Sequence, residues 1–143
     1  MKTIWITGGS SGIGLAVAKK FLNEGWKVVI SSKNIDNLNM AKEDILKNIK
    51  NKEIYSIKCD ISIREEVHKT VHEIESKISK IDLALLNAAA YSPNKSQEFN
   101  IKDYELLIDV NIKGTLYCLE ILQKYMKNRN NQIAIVSSPV GYR

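Results

Sequence analysis

The segment from Thr7 to Gly14, near the start of the sequence, constrains the fold most strongly. It reads Thr-Gly-Gly-Ser-Ser-Gly-Ile-Gly, and it joins an apolar run, Thr3–Thr7, to an apolar helical segment, Gly12–Asn23. A strand that passes through a glycine-rich turn directly into a helix is the setting in which backbone amides bind phosphate groups. The start of the chain therefore predicts a phosphate-binding turn.

Three glycines of this turn have separate predicted tasks. Gly8 permits the tight turn, Gly12 lets the backbone approach a pyrophosphate without a Cβ in between, and Gly14 allows the helix to pack closely on the sheet. The alternative is a glycine turn that serves the fold alone. The strand before the turn, the helix after it and the further strand–helix units that follow favour the phosphate-binding interpretation.

Strands and helices continue to alternate along the rest of the chain. The predicted strands are Thr3–Thr7, Lys27–Ser31, Glu53–Cys59, Asp82–Leu86 and Gln132–Ser137. The predicted helices are Gly12–Asn23, Ile35–Lys50, a third that carries Val67, Val71, Ile74 and Ile78 on one face, and Asp103–Asn128. Uniformly apolar runs such as Ile133–Val136 are typical of strands that helices cover on both faces. We therefore predict one α/β domain over residues 1–143, a doubly wound, Rossmann-like parallel sheet. Because such a sheet usually has about six strands, we expect this one to be truncated after the fifth.

The spacing Gly-x-x-x-Gly-x-Gly resembles the nucleotide-binding element of the short-chain dehydrogenase/reductase family, and further elements follow in order. Asp60-Ile61 resembles the end of the family's third strand, where an Asp meets the adenine amino group. Asn87-Ala88-Ala89 resembles the Asn-Ala-Gly after the fourth strand, Asn111 the active-site Asn within a helix, and Ser138 the catalytic Ser. The resemblance implies a cofactor site made of Gly8, Ser10, Ser11, Gly12, Ile13, Gly14, Ser32, Lys33, Asp60, Ile61, Asn87, Ala88 and Ala89. Leu86 and Ala89 depart from the family's Asn and Gly, which we interpret as tuning of the site rather than its loss.

The residues after the second predicted strand indicate which nicotinamide cofactor the site takes. In dinucleotide folds an acidic residue there pairs with the ribose hydroxyls of NAD, whereas a basic residue accommodates the 2′-phosphate of NADP. Ser32 occupies the place of the acid in this sequence, and Lys33 follows it. We therefore favour NADP over NAD, with a merely solvated Lys33 as the alternative.

The resemblance also implies a reaction, the transfer of hydride between the nicotinamide and an alcohol or ketone. Ser138 would orient the substrate oxygen, and Asn111 would support a proton relay. The family's catalytic Tyr and Lys lie beyond that Ser, but only five residues follow Ser138, and Tyr142 is too close to it and lacks a following Lys. We therefore expect these 143 residues alone to be inactive. A dinucleotide-binding protein without catalysis, such as a redox sensor, is the alternative, although it would need neither Ser138 nor Asn111.

Composition and charge argue against other functions. The net charge of +5 comes from lysines spread along the chain, without the basic cluster of a nucleic-acid site. No apolar run is long enough to cross a membrane, and we expect a cytoplasmic protein without a leader. Cys59 and Cys118 are expected to be buried, reduced thiols, and His68 and His72 to lie on a solvated helix face rather than to bind metal. The family resemblance further implies a homodimer or homotetramer and a small-molecule substrate, whose identity stays open.

Overall fold

One parallel sheet organises the computed structural model, which describes residues 1–51, 53–91 and 99–138. Its strands are β1 (Thr3–Thr7), β2 (Lys27–Ser32), β3 (Ile54–Lys58), β4 (Leu83–Leu86) and β5 (Gln132–Ile135). Among the described residues they pair in the order β3-β2-β1-β4-β5, every pair parallel. The predicted fold is confirmed, with strand ends that differ from the predicted ends by at most two residues.

Helices connect consecutive strands. They are α1 (Gly12–Asn23), α2 (Ile35–Asn48), α3 (Arg64–Glu73), α4 (Ile101–Leu107) and α5 (Thr115–Met126). Two π-helical segments extend them: Ile74–Ile78 continues α3, and Ile108–Gly114 joins α4 to α5. The long helix predicted over Asp103–Asn128 is therefore continuous from Ile101 to Met126, with a wider, π-helical turn in its middle. We call this element the long helix. Such π-helical turns are rare and frequently lie at functional sites.

The sheet separates two apolar cores. Ile4, Val28 and Ile30 face α1 and α2, where the predicted stripe of α2 packs against them. Trp5, Val29 and Ala84 face α3 and α5 on the other side. Alternate residues of β1 thus reach opposite cores, as the period of a strand dictates. Trp5 is fully buried and its indole Nε1 donates to the Ser31 hydroxyl over 3.1 Å.

Strand β5 differs from its prediction as a strand covered on both faces. Ile133 and Ile135 are 38% and 52% exposed, and Val136 is 39% exposed. Within the described residues β5 pairs with β4 alone, so it is the edge of the sheet. Its apolar side chains therefore lie partly in solvent, on a face that no described helix covers.

The two cysteines match their prediction as buried thiols. Cys59 and Cys118 are unpaired and almost inaccessible. Burial raises the pKa of Cys59 to about 11 and that of Cys118 to about 12. Both therefore stay protonated near neutral pH and act as small apolar groups of the core. No helix of the described residues has the length and apolar content needed to cross a membrane.

The histidines of α3 match the predicted solvated face only in part, because His72 is exposed whereas His68 is partly buried. His68 contacts a carboxylate oxygen of Glu120 at 3.1 Å, and His72 contacts the Tyr125 hydroxyl at 2.7 Å. Glu120 also accepts two hydrogen bonds from Arg64. The difference at His68 arises because α3 packs against α5, so polar residues at the edge of its apolar stripe meet polar residues of α5.

This α3–α5 contact predicts a pH dependence of stability. The hydrogen bonds from Arg64 lower the pKa of Glu120 from its ordinary value of 4.5 to about 2. His68 lowers this pKa further, whereas partial burial raises it. A carboxyl group whose pKa is lower in the folded than in the unfolded state stabilises the fold at every pH above its unfolded pKa. This stabilisation is lost as the pH falls from the unfolded pKa to the folded pKa. We expect Glu120→Gln to lower the Tm at pH 7, with the difference from wild type vanishing between about pH 4.5 and pH 2.

Thermal melts across this pH range check the expectation, and Glu24→Gln is the control. Glu24 pairs with Lys20 one helical turn away at 2.9 Å on an exposed surface, and such pairs contribute little. A difference between wild type and Glu120→Gln that stays constant from pH 7 to pH 2 would contradict the assignment.

Candidate functional site

A cleft of about 430 Å³ opens at the carboxyl ends of the strands. It lies where β1 has β2 on one side and β4 on the other, the point at which doubly wound sheets bind their ligands. Most of the predicted cofactor-binding residues line it: Gly8, Ser10, Ser11, Ser32, Lys33, Asp60, Ile61, Asn87, Ala88 and Ala89. The fold therefore brings segments far apart in sequence to one cavity, whose volume is typical of small-molecule sites.

The glycine turn is packed too tightly for side chains at three of its positions, Gly8, Gly9 and Gly14. Gly8 has φ +66°, and a Cβ there would lie 2.8 Å from Ala88 Cα. A Cβ on Gly14 would collide with the Gly8 carbonyl and lie 2.7 Å from the Asn87 side-chain nitrogen. Gly14 thus allows the start of α1 to pack closely against the turn and against the segment after β4. The prediction had placed this close contact between α1 and the sheet, but the chain folds back at the turn, so the Gly8 carbonyl is the nearest neighbour.

Gly12 and Ser11 leave room and hydrogen-bond donors at the start of α1. Gly12 has φ +52°, and no heavy atom of the described residues lies within 4 Å of the place that its Cβ would take. Ser11 precedes the helix without a side-chain capping bond, and the first turn holds no acidic residue. The first amides of α1 thus remain available for an anion, which the helix dipole favours. A pyrophosphate fits this open position.

Thr7 and Asn87 join the end of β1 to the end of β4. The Thr7 hydroxyl accepts the backbone N–H groups of Asn87 and Ala88 at 2.9 and 3.0 Å. In return, the Asn87 side-chain amide donates to the carbonyls of Thr7 and Gly8, both at 3.2 Å. The sequence prediction missed this role of Thr7, although a Thr directly before the glycines was a visible signal. The bonds hold the two walls of the cleft at a fixed separation.

Asp60 lies at the end of β3 with its carboxylate partly occupied. One oxygen accepts the backbone N–H and the hydroxyl of Ser62, at 3.0 and 2.7 Å. The backbone N–H of Asp60 donates to Glu66 at 2.8 Å. Ile61, the next residue, packs against Gly114 of the π-helical segment, where a Cβ would lie 2.8 Å from its side chain. The long helix therefore fixes the wall of the cleft that carries Asp60.

Asn111 lies within the π-helical segment, and its side chain binds a backbone rather than facing the cleft. Its Oδ1 accepts the Ala90 N–H at 2.7 Å, and its Nδ2 donates to the Ala90 carbonyl at 3.0 Å. The Asn111 carbonyl accepts the Thr115 hydroxyl at 3.0 Å. The amide thus holds the segment after β4 against the long helix.

The remaining predicted site residues do not line the cleft. Ser138 is exposed beyond the end of β5. Ile13 is 61% exposed at the start of α1, next to Gly12 and Gly14. Tyr142 lies outside the described residues. Residues that the prediction did not include also line the cleft, namely Asn34, Asn37, Cys59, Ala90 and Val110.

The sequence matches the short chain dehydrogenase family over residues 2–143. The chain belongs to this family. A dehydrogenase/reductase SDR family protein 7-like of Dictyostelium discoideum is 30% identical, over 98% of this chain and 46% of the relative. An uncharacterized oxidoreductase of Staphylococcus saprophyticus is 32% identical, over 99% of this chain and 60% of the relative. The chain therefore spans about half the length of the curated relatives that it matches.

Solved structures agree with the fold. A short chain dehydrogenase from Bacillus anthracis superposes with a TM-score of 0.89 at 27% identity, over 99% of this chain and 57% of the other. Levodione reductase superposes with a TM-score of 0.90 at 24% identity, over 99% of this chain and 56% of the other. The described part of the chain thus contains the parallel sheet, the glycine turn and the helices around the cleft.

Proposed function

We propose that this chain is the nucleotide-binding part of an NADP(H)-dependent oxidoreductase that interconverts alcohols and ketones. The observation that carries the proposal is the charge of the cleft beyond β2, where Ser32 and Lys33 line it. Lys33 is the only cation and Asp60 the only carboxylate among the described residues that line the cleft. A 2′-phosphate placed beside Lys33 gains a charge-assisted hydrogen bond, and Ser32 stands where an NAD site carries the acidic residue.

The other predicted residues have proposed tasks along the same nucleotide. The turn from Gly8 to Gly14, with Ser10, Ser11 and Ile13, holds the pyrophosphate and its neighbouring ribose. Asp60 and Ile61 hold the adenine. Ser62 occupies one carboxylate oxygen of Asp60, and the other oxygen accepts a hydrogen bond from the adenine amino group. The segment Asn87–Ala89 borders the ribose next to the nicotinamide. An archaeal alcohol dehydrogenase bound to 5-hydroxy-NADP has the same fold, with a TM-score of 0.89 at 22% identity.

The proposed chemistry belongs to the whole protein. A bound nicotinamide supplies or accepts a hydride. The Ser138 hydroxyl donates a hydrogen bond to the substrate oxygen, and Asn111 keeps the segment after β4 in register with the long helix. Residues 1–143 bind the nucleotide without turnover, because no Tyr–Lys pair follows Ser138 within them.

We also propose a cytoplasmic homodimer or homotetramer built from single nucleotide-binding domains. Support for the contact comes from the long helix, which exposes apolar side chains at helical spacing. These are Ile101, Tyr104, Ile108, Ile112 and Leu116. An apolar stripe of this kind on a soluble protein marks an interaction surface.

The cofactor preference is tested by the charge reversal Lys33→Glu. We expect wild type to bind NADPH more tightly than NADH. Hydrogen bonds to charged groups are worth roughly 1.5–3 kcal/mol, so the variant should lose about 10- to 100-fold in NADPH affinity. Its NADH affinity should change by no more than about three-fold, since NADH has no 2′-phosphate to repel. Titrations followed by the fluorescence of the reduced nucleotide measure both dissociation constants.

Lys80→Glu is the matched control, because Lys80 is exposed just before β4, at the opposite end of the sheet. It makes the same change of net charge far from the cleft. Equal losses of NADPH affinity in the two variants, or equal losses of NADPH and NADH affinity in Lys33→Glu, would refute the proposed contact.

A further inference from the structure

Asn37 lines the cleft although it does not belong to the loop that follows β2. It lies in the first turn of α2, two residues after the helix begins at Ile35. The same cleft is lined by Ser10, Ser32 and Lys33. Its sequence context, a polar residue in an exposed helix turn, gave no reason to place it in a site.

The backbone of Asn37 is held in place from both sides. Its N–H donates to the side-chain oxygen of Asn34 over 3.0 Å, which caps α2. The next residue, Leu38, is fully buried in the core beneath α2. Within the described ranges the carboxamide of Asn37 makes no hydrogen bond. A rigidly placed backbone therefore presents an unused amide at the cleft.

We infer that Asn37 is a specificity-determining residue that donates its side-chain N–H groups to the 2′-phosphate of NADP(H), beside Lys33. The inference rests on the proposed function, and it adds a contact that neither Ser32 nor Lys33 provides. A phosphate dianion carries only acceptors, and a carboxamide offers two donors in a fixed plane. The lysine ammonium is a mobile point charge that attracts the phosphate from any direction. The planar amide instead fixes the direction of its hydrogen bonds and so the orientation of the phosphate.

The electrostatics of the cleft agree with this role. Asp60 lies at the end of β3, and one of its oxygens is occupied by Ser62. Asp36, which precedes Asn37 in the same turn, does not line the cleft. Asn37 thus contributes donors on the side of the cleft that holds Lys33 without adding negative charge.

The test uses two adenosine ligands that differ in the phosphate of interest, adenosine 2′,5′-bisphosphate and 5′-AMP. Isothermal titration of the purified chain gives the ratio of their affinities. We expect Asn37→Asp to bind the bisphosphate at least about ten-fold more weakly, because it replaces donors with a negative acceptor. Binding of 5′-AMP should stay within about two-fold of wild type. An acidic residue in a first helical turn is favourable, so the variant should retain its Tm.

Two further variants keep the test decisive. Asn37→Ala removes the donors without adding charge, and it should weaken the bisphosphate about three- to ten-fold. Asn39→Asp adds the same charge to an exposed position of the same helix, and Asn39 does not line the cleft. It should change the affinity ratio by less than about two-fold.

Each outcome separates the inference from the proposed function. An unchanged ratio in both Asn37 variants, with the ratio lost in Lys33→Glu, overturns the role of Asn37 and leaves the NADP preference standing. Equal effects of Asn37→Asp and Asn39→Asp also overturn it, because the cause is then long-range charge. Equal binding of the two ligands by wild type overturns the cofactor preference and, with it, the role of Asn37.

Discussion

Replacing Thr7 by Val should destabilise the fold by roughly 2–6 kcal/mol and weaken nucleotide binding. The substitution keeps the shape of the side chain but removes the hydroxyl that accepts the N–H groups of Asn87 and Ala88. Thr7 is 1% exposed, so water cannot easily take the place of that oxygen. Each donor left without a partner costs about 1–3 kcal/mol. Urea unfolding gives the free energy, and NADPH titration gives the affinity.

Thr3→Val is the matched control, because Thr3 lies in the same strand and is equally buried. Among the described residues its hydroxyl has no hydrogen-bond partner. Removing that oxygen should therefore stabilise the protein by about 1 kcal/mol. Thr7→Ser, which keeps the acceptor, should retain most of the stability. Equal destabilisation by Thr7→Val and Thr3→Val would show that the Thr7 hydroxyl contributes nothing specific.

The substitution Gly14→Ala is expected to abolish nucleotide binding, although alanine is the better helix former. On propensity alone the change would stabilise α1 by about 1 kcal/mol. The new Cβ would instead meet the Gly8 carbonyl and the Asn87 side chain, two parts of the cleft wall that cannot easily move. Overpacking of this kind typically costs about 1–3 kcal/mol. Because the turn would have to shift, NADPH affinity should fall at least about 100-fold.

Gly25→Ala is the control for this prediction. Gly25 has φ +81°, and its Cβ position has no heavy atom within 4 Å. Its substitution introduces backbone strain worth about 1–2 kcal/mol without any collision. It should lower the Tm and leave the affinity for NADPH unchanged. A Gly14→Ala protein that is more stable than wild type and still binds NADPH would contradict the packing described for the turn.

Sequence patterns predicted the order of strands and helices because burial dictates them strongly. The central residues of β1 and β2 are apolar and buried, and α2 carries the stripe that faces the core. The glycine turn was predictable for a related reason, since positive φ at Gly8 and Gly12 excludes most other residues. These features depend on residues close together in the chain.

Contacts between distant segments were harder to predict. The π-helical segment Ile108–Gly114 was not predicted, and its last residue, Gly114, packs on Ile61, 53 positions earlier in the chain. The reciprocal bonds between Asn111 and Ala90 join residues 21 positions apart. Asn37 lines the cleft together with residues of other segments, such as Ser10 and Asp60. Each of these depends on tertiary geometry that periodicity does not encode.

The burial of Trp5 has an optical consequence. Its indole lies in the central strand, fully screened from water and bonded to the Ser31 hydroxyl, two residues before the glycine turn. Trp26 lies just before β2, at the other end of the sheet. The near-ultraviolet emission of tryptophan overlaps the absorption of a reduced nicotinamide, so we expect a nucleotide bound at the proposed site to quench Trp5 more than Trp26. Trp5 would then report occupancy of the cleft without a label.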